Sequence, residues 1–113
     1  MDLPIETMQE SAARATRLLK SMANESRLLI LCRLCEQEMS VGELVAAIPL
    51  SQSALSQHLS VLRREGLVKT RRDAQFVYYS LDSAEVQAII ATLYDLFCRE
   101  VMEGLEQDTP PTA

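Results

Sequence analysis

Three thiols and one patch of small hydroxyls and amides are the side chains of this sequence best suited to chemistry. Cys32, Cys35 and Cys98 can act as compact apolar filler, as soft metal ligands or as redox-active nucleophiles. The last role needs thiolate, so at least one sulfur must be partly exposed or stabilised by nearby charge. Cys32-Arg-Leu-Cys35 has Cys-x-x-Cys spacing but lies well inside an expected helix, whereas a thioredoxin-like pair uses a helix N-terminus. Cys35 therefore reads as a bystander. Arg33 and Arg99 adjoin Cys32 and Cys98 in sequence, yet neighbours on a helix point in different directions. The sequence contains no pattern resembling a catalytic triad, a phosphate-cradling loop or a paired-carboxylate cleft, so an enzyme is the least supported class.

The second patch offers hydrogen bonds. From Ser51 to Gly66, Leu55, Leu59 and Leu62 fall at i, i+4 and i+7, giving one apolar helix face. The opposite face carries Gln52, Ser53, Ser56 and Gln57, short uncharged groups that donate and accept. Such groups suit base edges in a DNA major groove, where each base pair presents its own donor and acceptor pattern. An ordinary surface helix more often presents Lys and Glu. Gly66 supplies a left-handed stop.

Charge supports this reading locally and opposes it globally. The chain of 113 residues carries a net charge of −5, whereas DNA binding draws on cationic contacts to phosphate. Between Arg63 and Arg72, however, five basic residues (Arg63, Arg64, Lys69, Arg71, Arg72) accompany a single acid, Glu65. Acids collect instead at the two ends of the chain. A local basic patch governs binding more than the total does.

These residues need a scaffold, and the patterning supplies one domain. With two Phe and three Tyr, the core must be Leu, Ile, Val and Ala, which favours packed helices. Met8, Ala12, Ala15, Leu19 and Met22 repeat at helical spacing; Asn24 can cap a second helix in which Leu28, Cys32 and Cys35 share a face. Ser40-Val-Gly-Glu43 is a capping box for a short third helix ending near Pro49, and Ser51 can cap the fourth. Two β-prone runs follow, Leu67 to Arg71 and Gln75 to Leu81, joined by a turn around Arg72-Asp-Ala. Asp82-Ser-Ala-Glu85 starts a last helix with an apolar stripe of Val86, Ile89, Ile90, Leu93, Phe97 and Val101. The expected fold is mainly α with a small β-hairpin: a winged helix-turn-helix over residues 1–104 and a disordered tail over 105–113. Arg71 and Arg72, near the hairpin tip, would meet DNA phosphates together with Arg63 and Arg64. Met1-Asp-Leu-Pro lacks a secretory pattern and no apolar run spans a bilayer, so a cytoplasmic location without membrane contact is expected.

Leu55-Ser-Gln-His-Leu-Ser-Val-Leu-Arg-Arg-Glu-Gly-Leu-Val68, Arg71-Arg-Asp-Ala-Gln75 and Tyr78-Tyr-Ser-Leu81 together resemble the ArsR/SmtB family of winged-helix repressors. The resemblance runs from about Leu18 to about Cys98. It implies a homodimer through the terminal helices and an imperfectly palindromic double-stranded DNA operator read in successive major grooves. It also implies that His58 belongs to the recognition helix as one of its DNA-binding side chains, without a metal role. The family's thiolate metal sites use Cys-x-Cys at the start of the third helix, where this chain has Ser40 and Gly42. Its zinc sites use His on the last helix, and this chain has none there. Neither site is present, and no metal or other cofactor is expected.

The contexts of Cys32 and Cys98, with Val41-Gly-Glu-Leu44 and Gln52 to Leu59, are similar to the HlyU/BigR/SqrR-like branch of the family. That similarity implies a redox-sensing pair, Cys32 and Cys98, bridged by persulfide or another oxidant. Such a bridge would tie the second helix to the last and alter operator binding, in a repressor or an anti-silencer. Two alternatives stay open: a metal-responsive repressor using a thiolate site, and a constitutive regulator with structural cysteines.

Overall fold

Side-chain caps set where most of the helices begin. In the computed structural model, which describes residues 3–99, helix α1 spans Ile5–Met22 and α2 spans Glu25–Glu36. Asn24 Oδ1 accepts from the Arg27 amide at 3.0 Å and so opens α2. A two-residue strand β1 (Met39–Ser40) leads into α3 (Val41–Ala47). There the capping box closes in both directions: the Glu43 amide donates to Ser40 Oγ, and the Ser40 amide to Glu43 Oε1. Ser51 Oγ accepts from the Ala54 amide to start α4 (Gln52–Arg64). Gly66 ends that helix at φ +79°, a conformation a side chain would resist.

Strands β2 (Val68–Asp73) and β3 (Phe76–Leu81) form the hairpin, and the sheet order is β1-β3-β2, antiparallel throughout. The turn lies later than the sequence suggests. Arg72 pairs with Val77 and Asp73 with Phe76, leaving Ala74 and Gln75 as a two-residue turn with Ala74 at φ 58°. Positive φ at the tip matches the twist of a tight hairpin, and that requirement outweighs Ala74's preference against it. Strand β1 is too short for any alternation to announce it. Ser83 caps α5 (Ala84–Leu93), which continues as a π-helical turn over Tyr94–Cys98.

The core is aliphatic, as the composition requires. Ile30, Leu31 and Leu34 of α2, Leu44 of α3, Leu55, Leu59 and Leu62 of α4, and Val86 and Ile90 of α5 are all buried. Two expected stripes differ from this. On α1, Met22 is buried, but Met8 and Leu19 are about half exposed, because α1 reaches the core only at its C-terminal end. On α2, the core takes Ile30, Leu31 and Leu34, so the Leu28–Cys32–Cys35 stripe looks sideways towards α5. The stripe of α5 also breaks: Phe97 is 69% exposed, beside Leu96 at 67%. Both lie on the π-helical turn, none of whose residues is buried. Val101, the boundary at 104 and the tail over 105–113 lie outside the described residues.

Candidate functional site

The polar side of α4 is built from behind. Leu55, Leu59 and Leu62 have at most 1% exposure, which fixes the helix's rotation. At about 100° per residue, that rotation turns Gln52, Ser53, Ser56 and Gln57 outwards, and all of them are exposed. Ser60 joins the same face, and Arg63 and Arg64 end it. Ser60 was legible in principle, since it continues the i, i+4 line from Ser56. His58 differs from the expected open face: it is half-buried, with Nδ1 3.5 Å from Arg27 Nη1.

Arg27 itself organises the corner between α1 and α2. Its Nε donates to the Ser21 carbonyl at 2.7 Å, satisfying the end of α1. Between α1 and α4 runs a groove of about 570 Å³ with Lys20, Arg27 and Arg64 in its walls. Arg17 of α1 grips Glu65 there, Nη2 to Oε2 at 2.9 Å and Nε to Oε1 at 3.2 Å. This hydrogen-bonded pairing holds the Glu65 carboxyl below the usual carboxylate range and pushes the Arg17 guanidinium up. It also neutralises the one acid in the basic run that ends α4.

The two wing arginines part company. Arg71 is engaged inside the chain: Nε donates to Glu38 at 2.8 and 2.9 Å, and its guanidinium lies 4.6 Å from the centroid of the Tyr78 ring. The bond to Glu38 raises its pKa further. Arg72 is exposed one position nearer the tip and forms no ion pair among the described residues. Arg71 thus fastens the wing to the end of α2, while Arg72 projects a free cation.

The thiols share a second site. Cys32, Cys35 and Cys98 all line one cleft of about 850 Å³ between α2 and the end of α5. Leu28, Ile90, Leu93, Tyr94 and Phe97 give it mostly apolar walls. Cys32 and Cys98 are exposed in the single chain, and Cys35 is half-buried. The apolar walls still push the Cys32 thiol up, with Cys98 and Glu36 adding to the rise. Burial likewise pushes Cys35 up, with Cys32 and Glu36 contributing. Among the described residues, no three His, Cys, Asp or Glu side chains converge as metal ligands.

Residues 24–70, which hold the helix-turn-helix and the start of the wing, match the model of the bacterial regulatory protein, arsR family. Over 95 residues, the chain is 56% identical to the transcriptional activator HlyU of Vibrio cholerae, covering 84% of this chain and 88% of that protein. The chain belongs to the ArsR family. It is a winged-helix, DNA-binding transcriptional regulator of that type and not an enzyme.

Among other ArsR-type relatives, the biofilm growth-associated repressor of Agrobacterium fabrum is 40% identical over 97 residues, covering 86% of this chain and 83% of the relative. The solved structure of reduced HlyU from Vibrio cholerae superposes with a TM-score of 0.80 at 56% identity, covering 83% of this chain and 99% of that one. One relative is called an activator and another a repressor, so membership of the ArsR family leaves the direction of regulation open. Among the described residues no helix is long and apolar enough to cross a membrane.

Proposed function

We propose that this chain is a cytoplasmic, dimeric regulator whose operator binding is switched by oxidation or persulfide-driven bridging of Cys32 and Cys98. The observation that carries the proposal is the shared cleft, which brings two exposed thiols from distant parts of the sequence to one site. Gln52, Ser53, Ser56 and Gln57 read base edges, and Arg63, Arg64 and Arg72 hold phosphates. Arg71 keeps the wing in place through Glu38, and His58 supports the recognition helix from its inner side.

Dimerisation is supported by apolar surface left open on the terminal helices. Leu3, Ile5, Met8 and Leu19 on one side, and Tyr94, Leu96 and Phe97 on the other, are all about half exposed or more. A second copy covering them would set the distance between the two recognition helices. Each half of an imperfect palindrome is read only when that distance matches one DNA turn, roughly 34–36 Å.

In the switch, a persulfide RSSH transfers its outer sulfur to one cysteine thiolate and leaves as the thiol RSH. If the other cysteine is still a thiolate, it attacks the Sγ of the persulfidated one, closes a disulfide and expels sulfide. If a second RSSH has persulfidated it too, its terminal sulfur makes that attack, closing a trisulfide and expelling sulfide. A plain disulfide requires Cα atoms roughly 4.4–6.8 Å apart, and inserted sulfur relaxes that limit. The bridge draws α2 against the helix that carries the proposed dimer contact.

Intact mass and peptide mapping after persulfide, and separately after peroxide, test this reading. The expected product is a Cys32–Cys98 link, with retained sulfur marking reactive sulfur as the signal. Both thiols unmodified under conditions that oxidise an exposed thiol would make the cysteines structural and the regulator constitutive.

A further inference from the structure

We propose that Cys35 is a third reactive thiol of the cleft, able to bridge to Cys32 within α2 in competition with Cys98. The proposal rests on the redox reading of that cleft. Cys35 lines the same cavity as Cys32 and Cys98 and is half-buried, beside rather than inside the core. It follows Cys32 at i+3, so the two side chains share one side of the helix.

The structure changes the meaning of the Cys-x-x-Cys spacing. Helix α2 ends at Glu36, and Gln37 is already extended at φ −168°. Cys35 therefore sits in the last turn, where the backbone can yield, and not deep in a helix. Ideal helix geometry places Cα atoms at i and i+3 about 5 Å apart. That falls inside the disulfide's Cα window of roughly 4.4–6.8 Å. Helical Cβ atoms at this spacing lie about 5–6 Å apart, against roughly 3.5–4.5 Å in a disulfide, so the last turn must tighten for the bridge to close. A helix C-terminus does not stabilise thiolates, so this pair lacks the activation of a thioredoxin-like site. Its thiols are also held up by burial and by Glu36. Within the pair the exposed Cys32 makes the first attack on an oxidant, and the half-buried Cys35 suits slow capture of the sulfur already oxidised.

The chemistry balances with a persulfide as oxidant. Cys32 thiolate takes the outer sulfur of RSSH, breaking its S–S bond and releasing RSH after protonation. Cys35 thiolate then attacks Cys32 Sγ, forms the Cys32–Cys35 bond and expels HS⁻. Two thiols lose two electrons, the transferred sulfur is reduced to sulfide, and the thiol protons end on RSH and H₂S. This bridge closes within one helix. It consumes Cys32 without tying α2 to α5, so it restrains the switch.

Treating the full-length Cys98→Ser variant with glutathione persulfide, then alkylating and digesting with trypsin, tests the proposal. Trypsin cuts after Arg33, between the two cysteines, so the bridge appears as two covalently linked peptides. The expected result is loss of both alkylatable thiols and recovery of that linked pair. Cys35 fully alkylated, whether Cys32 carries an open persulfide or has not reacted, would overturn the proposal. The Cys35→Ser variant separates the two levels of inference: a Cys32–Cys98 link there upholds the redox reading even if Cys35 proves inert. With the proposal correct, Cys35→Ser also releases operator at a lower persulfide dose than the unaltered chain. An unchanged dose would contradict the restraining role.

Discussion

The DNA-reading end and the thiol end of this molecule are built on opposite principles. Around α4 and the wing, the polar ends and charges are largely accounted for: Ser51 caps the helix, Arg17 takes up Glu65, and Arg71 is clamped by Glu38 and Tyr78. Three buried leucines fix the helix's rotation. Around Cys32 and Cys98, apolar side chains stand open, a π turn replaces the regular helix, and burial pushes the Cys32 and Cys35 thiols up. One chain suffices to shape the reading surface. The thiol end leaves apolar surface uncovered in one chain, which on the proposed reading suits an element whose packing changes between two states.

The largest expected effect removes the scaffold of the first region. Leu59→Ala should cost about 2–5 kcal/mol in denaturant unfolding, since Leu59 is essentially buried. Leu96→Ala, at an exposed site, should leave far-UV helicity intact and weaken self-association in sedimentation. If Leu96→Ala unfolded the chain as severely as Leu59→Ala, the contrast between the two ends would break.

Next in size is base reading. Gln57→Ala should lose about 1–3 kcal/mol of discrimination at one operator position, measured as the affinity ratio between matched and substituted sites. A loss equal on all sequences would show that Gln57 reads no base. Arg72→Ala should weaken binding to every sequence and reduce the salt slope by about one. Arg71→Ala should change that slope less, because Glu38 already occupies its guanidinium. Equal slope changes would contradict the division of labour on the wing.

Two pH effects are smaller. The Cys32 pKa is raised on folding, so thiolate forms later as pH increases. Alkylation of Cys32 in the folded chain should therefore reach its midpoint at higher pH than in denaturant; a lower midpoint would contradict the desolvating cleft. For Glu65 the sign is opposite. Its folded pKa is depressed, so the Arg17 contact stabilises fully above the usual carboxylate range and is lost as pH falls through the depressed value. The pair is solvent-screened, so Arg17→Ala should only slightly lessen acid sensitivity.

The sequence shows the α4 and wing end more clearly than the thiol end, for a physical reason. Capping boxes, the 3.6-residue stripe of α4 and Gly66 are local signals, and local geometry obeys them. The sideways turn of Cys32 and Cys35 depends on which of two adjacent apolar stripes on α2 the core selects. Ile30, Leu31 and Leu34 take it, a choice that only packing against α4 and α5 reveals. Likewise Arg71 and Arg72 look alike in sequence, and only the register of β2 against β3, with Glu38 nearby, tells the clamp from the free cation. The pairing of Cys32 with Cys98 came from family resemblance. The cleft then supplies the spatial proximity that spacing alone could not.

On the proposed mechanism, closing the cleft loosens the grip on DNA. The most direct measurement is operator affinity, at fixed salt, of fully reduced protein against protein isolated with the Cys32–Cys98 bridge. A coupling of about 1–3 kcal/mol predicts a 5- to 150-fold weaker complex for the bridged form, reversed by reductant. Equal affinity of the two forms would contradict the account.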